Sequence, residues 1–255
     1  MNLFGPGLGL RGPAAVLASY LRRLADKREG GRIEAAQGIV RLVERGDVDP
    51  EVARRKLLEH ADDRTFGVAL AVAVALARLD PLGESPRLRA RLLDPRAYAA
   101  DPRMLTAAAR EFVALADEEL RARLREEVEA RSRSSIGLEQ GESCAWILGE
   151  LAAAGEGTVV RTLQAMLSDP RVGNRAAAAW ALGRSGRPEA FVSLREILSA
   201  GGREMVERAL RGLGDADGAE IVDRLMDALR FDAPRIVERL RELPSRYRRR
   251  SLTAP

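Results

Sequence analysis

The sequence AWILG at residues 145–149 recurs as AWALG at residues 179–183, 34 residues further along the chain. A short turn of small residues follows each copy, and then a second apolar pattern of helical spacing. A third, degenerate copy starts at Ala209 and continues through Gly214-Asp215. This self-similarity is typical of helical hairpins stacked into a solenoid, because a single hairpin cannot bury both of its faces alone.

A second apolar register supports the same interpretation. Val160, Leu163 and Leu167 have the spacing of one helix face, and the same spacing recurs in residues 191–198 and 222–229. Between the apolar patterns we find no convincing alternation typical of a β-strand. The sequence therefore predicts an all-α fold, a right-handed α-solenoid of about thirteen short helices in about six antiparallel pairs.

Proline and glycine mark the predicted helix ends. An acidic or hydroxyl residue before proline is a helix start signal, because it can cap the helix while proline occupies the first turn. Proline after a helical pattern, or a glycine pair, marks a stop. We predict starts at Asp49-Pro50, Ser85-Pro86 and Asp101-Pro102, and stops at Gly30-Gly31, Asp80-Pro81, Asp94-Pro95 and Asp169-Pro170.

Composition along the chain predicts five segments. The helix predicted over 117–130 is almost entirely charged outside a narrow stripe, and the polar sequence RSRSSIG follows it. The segments are an N-terminal arm and capping helix (1–30), divergent helical repeats (31–130), a candidate hinge (131–137), regular repeats (138–243) and a basic C-terminal tail (244–255).

The sequence AAAAWALGRSGRPEA at residues 176–190 resembles the HEAT-like repeat named after phycobilisome lyases. The resemblance extends over roughly residues 138–230 and is weaker at residues 74–80. It implies HEAT-like helix pairs but is unspecific for function. One function that it implies is a bilin lyase or isomerase subunit, an enzyme that works with partner chains.

The main functional hypothesis is a non-enzymatic scaffold that binds another protein. The second helices of the pairs would form a concave surface, and polar residues beside their apolar stripes would contact the partner. These candidate binding residues are Arg161, Gln164, Arg195 and Arg224.

Nucleic acid is the alternative partner. The chain carries 42 Lys and Arg against 38 Asp and Glu, and only two of the basic residues are lysines. The planar guanidinium of arginine offers several hydrogen-bond donors that suit phosphate recognition. Codon usage in a GC-rich genome would also enrich arginine. The candidate phosphate contacts are Arg246, Arg248, Arg249 and Arg250 in the tail. HEAT-like solenoids also include DNA glycosylases, but we align no glycosylase motif.

The sequence gives no support for catalysis, a metal or a cofactor. His60 is the only histidine, and Cys144 is the only cysteine. HEAT-like deoxyhypusine hydroxylases require several His-Glu pairs, which this chain lacks. We expect Cys144 to be a small buried side chain, although a helix start can also activate a thiol. We expect Trp146 and Trp180 to fill the space between repeats, the alternative being exposed anchors for a partner.

Location is predicted from three observations. A single cysteine allows no disulfide within the chain, the N-terminal residues do not have the pattern of a secretory signal, and the longest apolar run, residues 67–77, is shorter than a membrane span. We expect a cytoplasmic protein without membrane contact.

Overall fold

The computed structural model of the chain describes residues 12–184. These residues form α-helices and one 3₁₀ helix, with no β-strand among them, which confirms the all-helical prediction. The described residues divide into two compact units, with the boundary between Arg91 and Leu92. The helices are α1 (Pro13–Leu24), α2 (Glu29–Glu44), α3 (Pro50–Leu58), α4 (Phe66–Leu79), α5 (Pro81–Leu92), a 3₁₀ helix (Pro95–Ala99), α6 (Pro102–Leu115), α7 (Glu118–Ser134), α8 (Gln140–Ala153), α9 (Val159–Met166) and α10 (Val172–Arg184).

The core of the first unit forms around α2 and α4. Helix α2 packs against α1 and α4, and α3 packs against both α2 and α4. The apolar run 67–77 lies within α4 and is buried except at Val74, as expected for a central helix that is apolar on all sides. Aliphatic side chains supply this core, including Ile39, Leu57 and Leu76.

Helix α8 is the centre of the second unit. It packs against α6 and α10, and it also contacts α7 and α9. Helices α6, α8 and α10 therefore form one row, and α7 and α9, which contact each other, form a second row. This arrangement places the two copies of the repeated sequence side by side in α8 and α10.

The contacts between α8 and α10 follow the sequence repeat. A Cβ at Gly141 would lie 2.3 Å from the Asn174 side chain, and a Cβ at Gly149 would lie 2.9 Å from that of Ala181. Both contacts join residues 32 or 33 positions apart, so the two helices run parallel with the register of the repeat. Glycine at these positions allows the helices to approach closely.

The two tryptophans are core residues, which confirms the favoured interpretation. Trp146 and Trp180 are 3% and 2% exposed, and their ring centroids lie 4.5 Å apart at an interplanar angle of 64°. Edge-to-face contact suits the aromatic quadrupole. Alanines 176–179, which precede the second ring, are fully buried and allow the neighbouring helices to approach.

Most of the Asp-Pro signals behave as predicted. Asp49, Asp94 and Asp101 each accept hydrogen bonds from backbone amides at the start of the helix that follows, and proline occupies the first turn. Helix α4 ends directly before Asp80, and α9 ends before Asp169.

Two predicted helix ends are wrong. Gly30-Gly31 lies in the first turn of α2, because α1 already ends at Leu24 and the Asp26 carboxylate, which accepts a hydrogen bond from the Arg28 amide at 3.0 Å, forms the turn. Pro86 lies inside α5 and does not start it. The start is Pro81, where Asp80 accepts a hydrogen bond from the Gly83 amide at 3.0 Å, so Asp80-Pro81 both ends α4 and begins α5.

The structure differs from the predicted hinge at 131–137. Helix α7 continues to Ser134, so more than half of this segment is helical, and Ser132 and Ser135 are buried. The Gly137 amide donates a hydrogen bond to the Asp169 carboxylate at 3.1 Å. The boundary between the two compact units follows Arg91, and the five predicted segments stay a prediction.

Candidate interaction surface

Arginine–carboxylate pairs join helices to neighbouring helices or to the connections between them, within each unit. Arg32 pairs with Asp63 at 3.3 Å, Arg54 with the buried Glu84 at 3.0 Å, and Arg125 with Glu156 at 2.8 Å. The partners lie 30 or 31 residues apart in sequence, close to the period of the repeat. These arginines therefore stabilise the packing within their own units.

One buried carboxylate belongs to the repeated sequence. Glu150, directly after AWILG, is 3% exposed in α8. It accepts hydrogen bonds from the Arg110 guanidinium in α6 at 3.1 and 3.3 Å. This bidentate ion pair holds α6 against α8 and neutralises the buried charge of the carboxylate. The pair is structural, since both oxygens are already engaged.

A short motif before two of the helices was missed in the sequence. The pattern Asp-x-Arg-x-Gly-x-Arg occurs at residues 26–32 and again at 169–175. In both copies the last arginine donates to the backbone carbonyl of the aspartate, at 2.9 Å for Arg32 and 2.6 Å for Arg175. The aspartate carboxylate accepts from the amide two residues later, at 3.0 and 2.8 Å. The equal spacing of aspartate and arginine in the two copies, one in each unit, is the sequence feature that identifies this motif.

The two candidate catalytic groups belong to different compact units. His60 follows α3 in the first unit, whereas Cys144 is buried in α8 of the second. Burial raises the pKa of the Cys144 thiol to about 12, so the thiol is protonated at neutral pH. Within residues 12–184 no three side chains of His, Cys, Asp or Glu are grouped as metal ligands would be.

Two of the predicted binding residues lie on one exposed helix face. Arg161 and Gln164 are exposed in α9, whereas Val160, Leu163 and Met166 are buried on its other face. Neither exposed side chain forms an ion pair or a hydrogen bond within residues 12–184. Arg195, Arg224, Arg246, Arg248, Arg249 and Arg250 lie outside the described residues.

A groove lies beside this face, between the C-terminal parts of α7 and α9. We call it the α7–α9 groove. Its volume is about 250 Å³. Ala165 and Met166 of α9 line it together with Ile136, which follows α7. Its polar lining consists of Ser132, Arg133, Thr162, Ser168 and Asp169.

A larger cavity of about 340 Å³ lies where α6, α8 and α10 begin. Tyr98 and Trp146 contribute aromatic surface to it. Glu139 and Arg171 also line it and pair with each other at 3.3 Å. Glu142, the second acid, lies in the first turn of α8, where the helix dipole favours a negative charge. The charges of this cavity are therefore accounted for within the protein.

The comparisons with known proteins agree with this architecture. A family model for HEAT repeats matches residues 142–209, which include α9, α10 and nearly all of α8. No curated protein and no solved structure matches the chain. The family match supports a HEAT-like repeat protein. Within residues 12–184, no helix has both the length and the apolar character needed to cross a bilayer.

Proposed function

We propose that this chain is a non-enzymatic scaffold that binds another protein. Its architecture in this proposal is a right-handed α-solenoid of antiparallel helix pairs, with HEAT-like repeats of the phycobilisome-lyase type. HEAT repeats generally mediate protein–protein interaction, and the matched residues 142–209 include the helix that carries the proposed contacts.

The observation that carries the proposal is the exposed outer face of α9. The Arg161 and Gln164 side chains are exposed and form no hydrogen bond or ion pair within residues 12–184, whereas Arg125 on the neighbouring α7 pairs with Glu156. In the register of the repeats Arg195 corresponds to Gln164, and the proposal extends the surface to Arg195 and Arg224. A cytoplasmic location belongs to the same proposal, since the single cysteine is buried as a thiol.

The test begins with affinity capture from the native organism and identification of the bound proteins by mass spectrometry. A captured protein is then purified and titrated against the full chain by calorimetry. Arg161→Glu reverses a charge on the proposed surface. Arg103→Glu is the matched control, because Arg103 of the second unit is also exposed and its side chain forms no ion pair within residues 12–184.

We expect a saturable complex that Arg161→Glu weakens about tenfold or more, corresponding to about 1.4 kcal/mol of binding free energy. The control variant should bind like the wild type. Equal binding by both variants would remove α9 from the interface, and the absence of any saturable protein complex would contradict the scaffold function.

Gel shifts with duplex DNA at rising salt test the alternative partner. A scaffold for proteins should bind DNA only weakly and without sequence preference. Binding that survives physiological salt, and whose salt slope falls by about 0.9 per phosphate contact when residues 245–255 are deleted, would favour nucleic acid instead.

A further inference from the structure

The α7–α9 groove has the size and the lining of a site for one side chain. Small-molecule pockets usually enclose about 300–1,000 Å³, and this groove of about 250 Å³ lies below that range. Ala165 and Met166 form an apolar wall on α9, and Ile136 lies across from them. An aliphatic side chain would fill this space and exclude water from the wall.

Ile136 is unusually exposed for its size. Two-thirds of its surface (66%) is accessible to solvent, although it borders the buried Ser135 and lines the groove. A single exposed apolar residue is common on protein surfaces. Beside an apolar groove with a polar rim, however, it has the arrangement of an interface anchor surrounded by contacts that exclude water.

The charges around the groove favour an acidic partner. Asp169, the carboxylate that lines it, accepts hydrogen bonds from two backbone amides. Glu129 accepts one at 3.0 Å from the hydroxyl of Thr162, which also lines the groove. The two arginines are not occupied: Arg133 on the rim and Arg161 on α9 are exposed, and neither forms an ion pair within residues 12–184.

The position of Arg161 strengthens this preference. It lies in the first turn of α9, where the positive end of the helix dipole disfavours a cation. The first turn contains no acidic residue, and Thr158 makes no capping hydrogen bond with its side chain. A carboxylate from a partner would therefore meet an arginine that has no ion-pair partner within residues 12–184, in a first turn that contains no acidic residue.

We infer that the α7–α9 groove binds an aliphatic side chain of a partner protein, in a segment that carries acidic residues beside this anchor. The anchor contacts Ile136, Ala165 and Met166, and the acids pair with Arg133 and Arg161. The inference rests on the proposed scaffold function and specifies the chemistry of the partner.

A displayed library of random peptides is the probe, selected on the full chain and followed by titration of the best synthetic peptide. Ala165→Glu places a bulky anion in the groove. Ala107→Glu is its matched control, because Ala107 is an exposed helical alanine of the same unit. Ile136→Ser and Leu138→Ser form a second pair, since both residues are exposed but only Ile136 lines the groove.

We expect the selected peptides to share Leu, Ile or Met next to Asp or Glu. Ala165→Glu and Ile136→Ser should each weaken the peptide about tenfold or more, whereas the two control variants should bind within about twofold of the wild type. Unchanged thermal melting of the Ile136→Ser variant would separate lost binding from lost folding.

Three results would overturn the inference: a selection without binders, selected peptides that are basic or lack an aliphatic residue, and binding that the groove variants leave unchanged. If affinity capture still yields a saturable protein complex in any of these cases, the scaffold function stands and only the groove assignment fails. If capture also yields none, both fail.

Discussion

Removing the Trp180 side chain should destabilise the second unit strongly. The indole is 2% exposed and packs against the Trp146 ring at a centroid distance of 4.5 Å. Burial of about 150–250 Å² of aromatic surface at about 25 cal/mol per Å² contributes about 4–6 kcal/mol as an upper estimate. Because the cavity left by alanine relaxes only in part, we expect Trp180→Ala to cost about 3–5 kcal/mol.

Urea denaturation followed by circular dichroism at 222 nm measures this loss. With a slope of about 2 kcal/mol per M, a loss of about 4 kcal/mol lowers the midpoint by about 2 M. The fluorescence of Trp146 reports on the same unit, because it is then the only tryptophan in the chain. Its emission should shift to longer wavelength as water enters the space that the second ring vacates.

Two control variants test the reasoning. Trp180→Phe keeps an aromatic ring in the space and should lose clearly less stability than the alanine variant. Tyr98→Ala truncates an aromatic side chain that is 46% exposed and should cost much less. A midpoint for Trp180→Ala close to that of the wild type would refute the core assignment, and with it the explanation of the repeated tryptophan.

Cys144 should resist alkylation by iodoacetamide at pH 8 until the chain unfolds. Its pKa is raised to about 12 in the folded chain, so the free energy of unfolding should fall as pH rises above 9, the usual thiol value, because only the unfolded thiol then ionises. Asp169→Ala should cost about 2–3 kcal/mol in the same urea assay, since it leaves the amides of Gly137 and Arg171 without their acceptor; an unchanged midpoint would show that water replaces the carboxylate. Limited trypsin digestion should spare the segment 131–137, because α7 continues to Ser134, and early cleavage after Arg131 or Arg133 would restore the predicted hinge.

Local signals predicted much of the fold. The repeated AW-x-LG sequence brings α8 and α10 side by side in parallel, and Asp49-Pro50 and Asp101-Pro102 start helices as expected. These features are predictive because their contacts are set by sequence position. A helix cap bonds to backbone amides two or three residues later, and a buried ring packs against the equivalent position of the next repeat.

The failures have a different physical origin. Gly30-Gly31 has the composition of a helix stop, yet the carboxylate of Asp26 forms the turn four residues earlier and leaves both glycines to α2. Pro86 has the composition of a helix start, but capping by Asp80 begins the same helix at Pro81. In both cases an aspartate carboxylate accepts a hydrogen bond from a backbone amide near the observed helix start, and that start precedes the residue whose composition suggested a boundary.

The groove could not be predicted from the sequence, because its walls come from separate helices. Ser132 and Met166 meet across it although they are 34 residues apart and share no motif. The exposure of Arg161 and Gln164 could be predicted, since both flank the apolar stripe of a single helix. The spacing of apolar residues along a helix shows which side chains lie on its buried face and which on its exposed face. The space between two helices depends on how closely they pack.

The pairing of arginines within the chain provides a criterion for its binding surface. An arginine that pairs with a carboxylate on a neighbouring helix, as Arg54 does with Glu84, contributes to packing, and reversing its charge would disturb the fold. An exposed arginine without such a partner contributes little to the fold, so selection for packing does not explain its position. At Arg161 the helix dipole even disfavours the positive charge. Arginine content alone does not distinguish codon usage from recognition in this chain. Exposed arginines that form no ion pair within the described residues are therefore the first ones whose charge should be reversed by mutation.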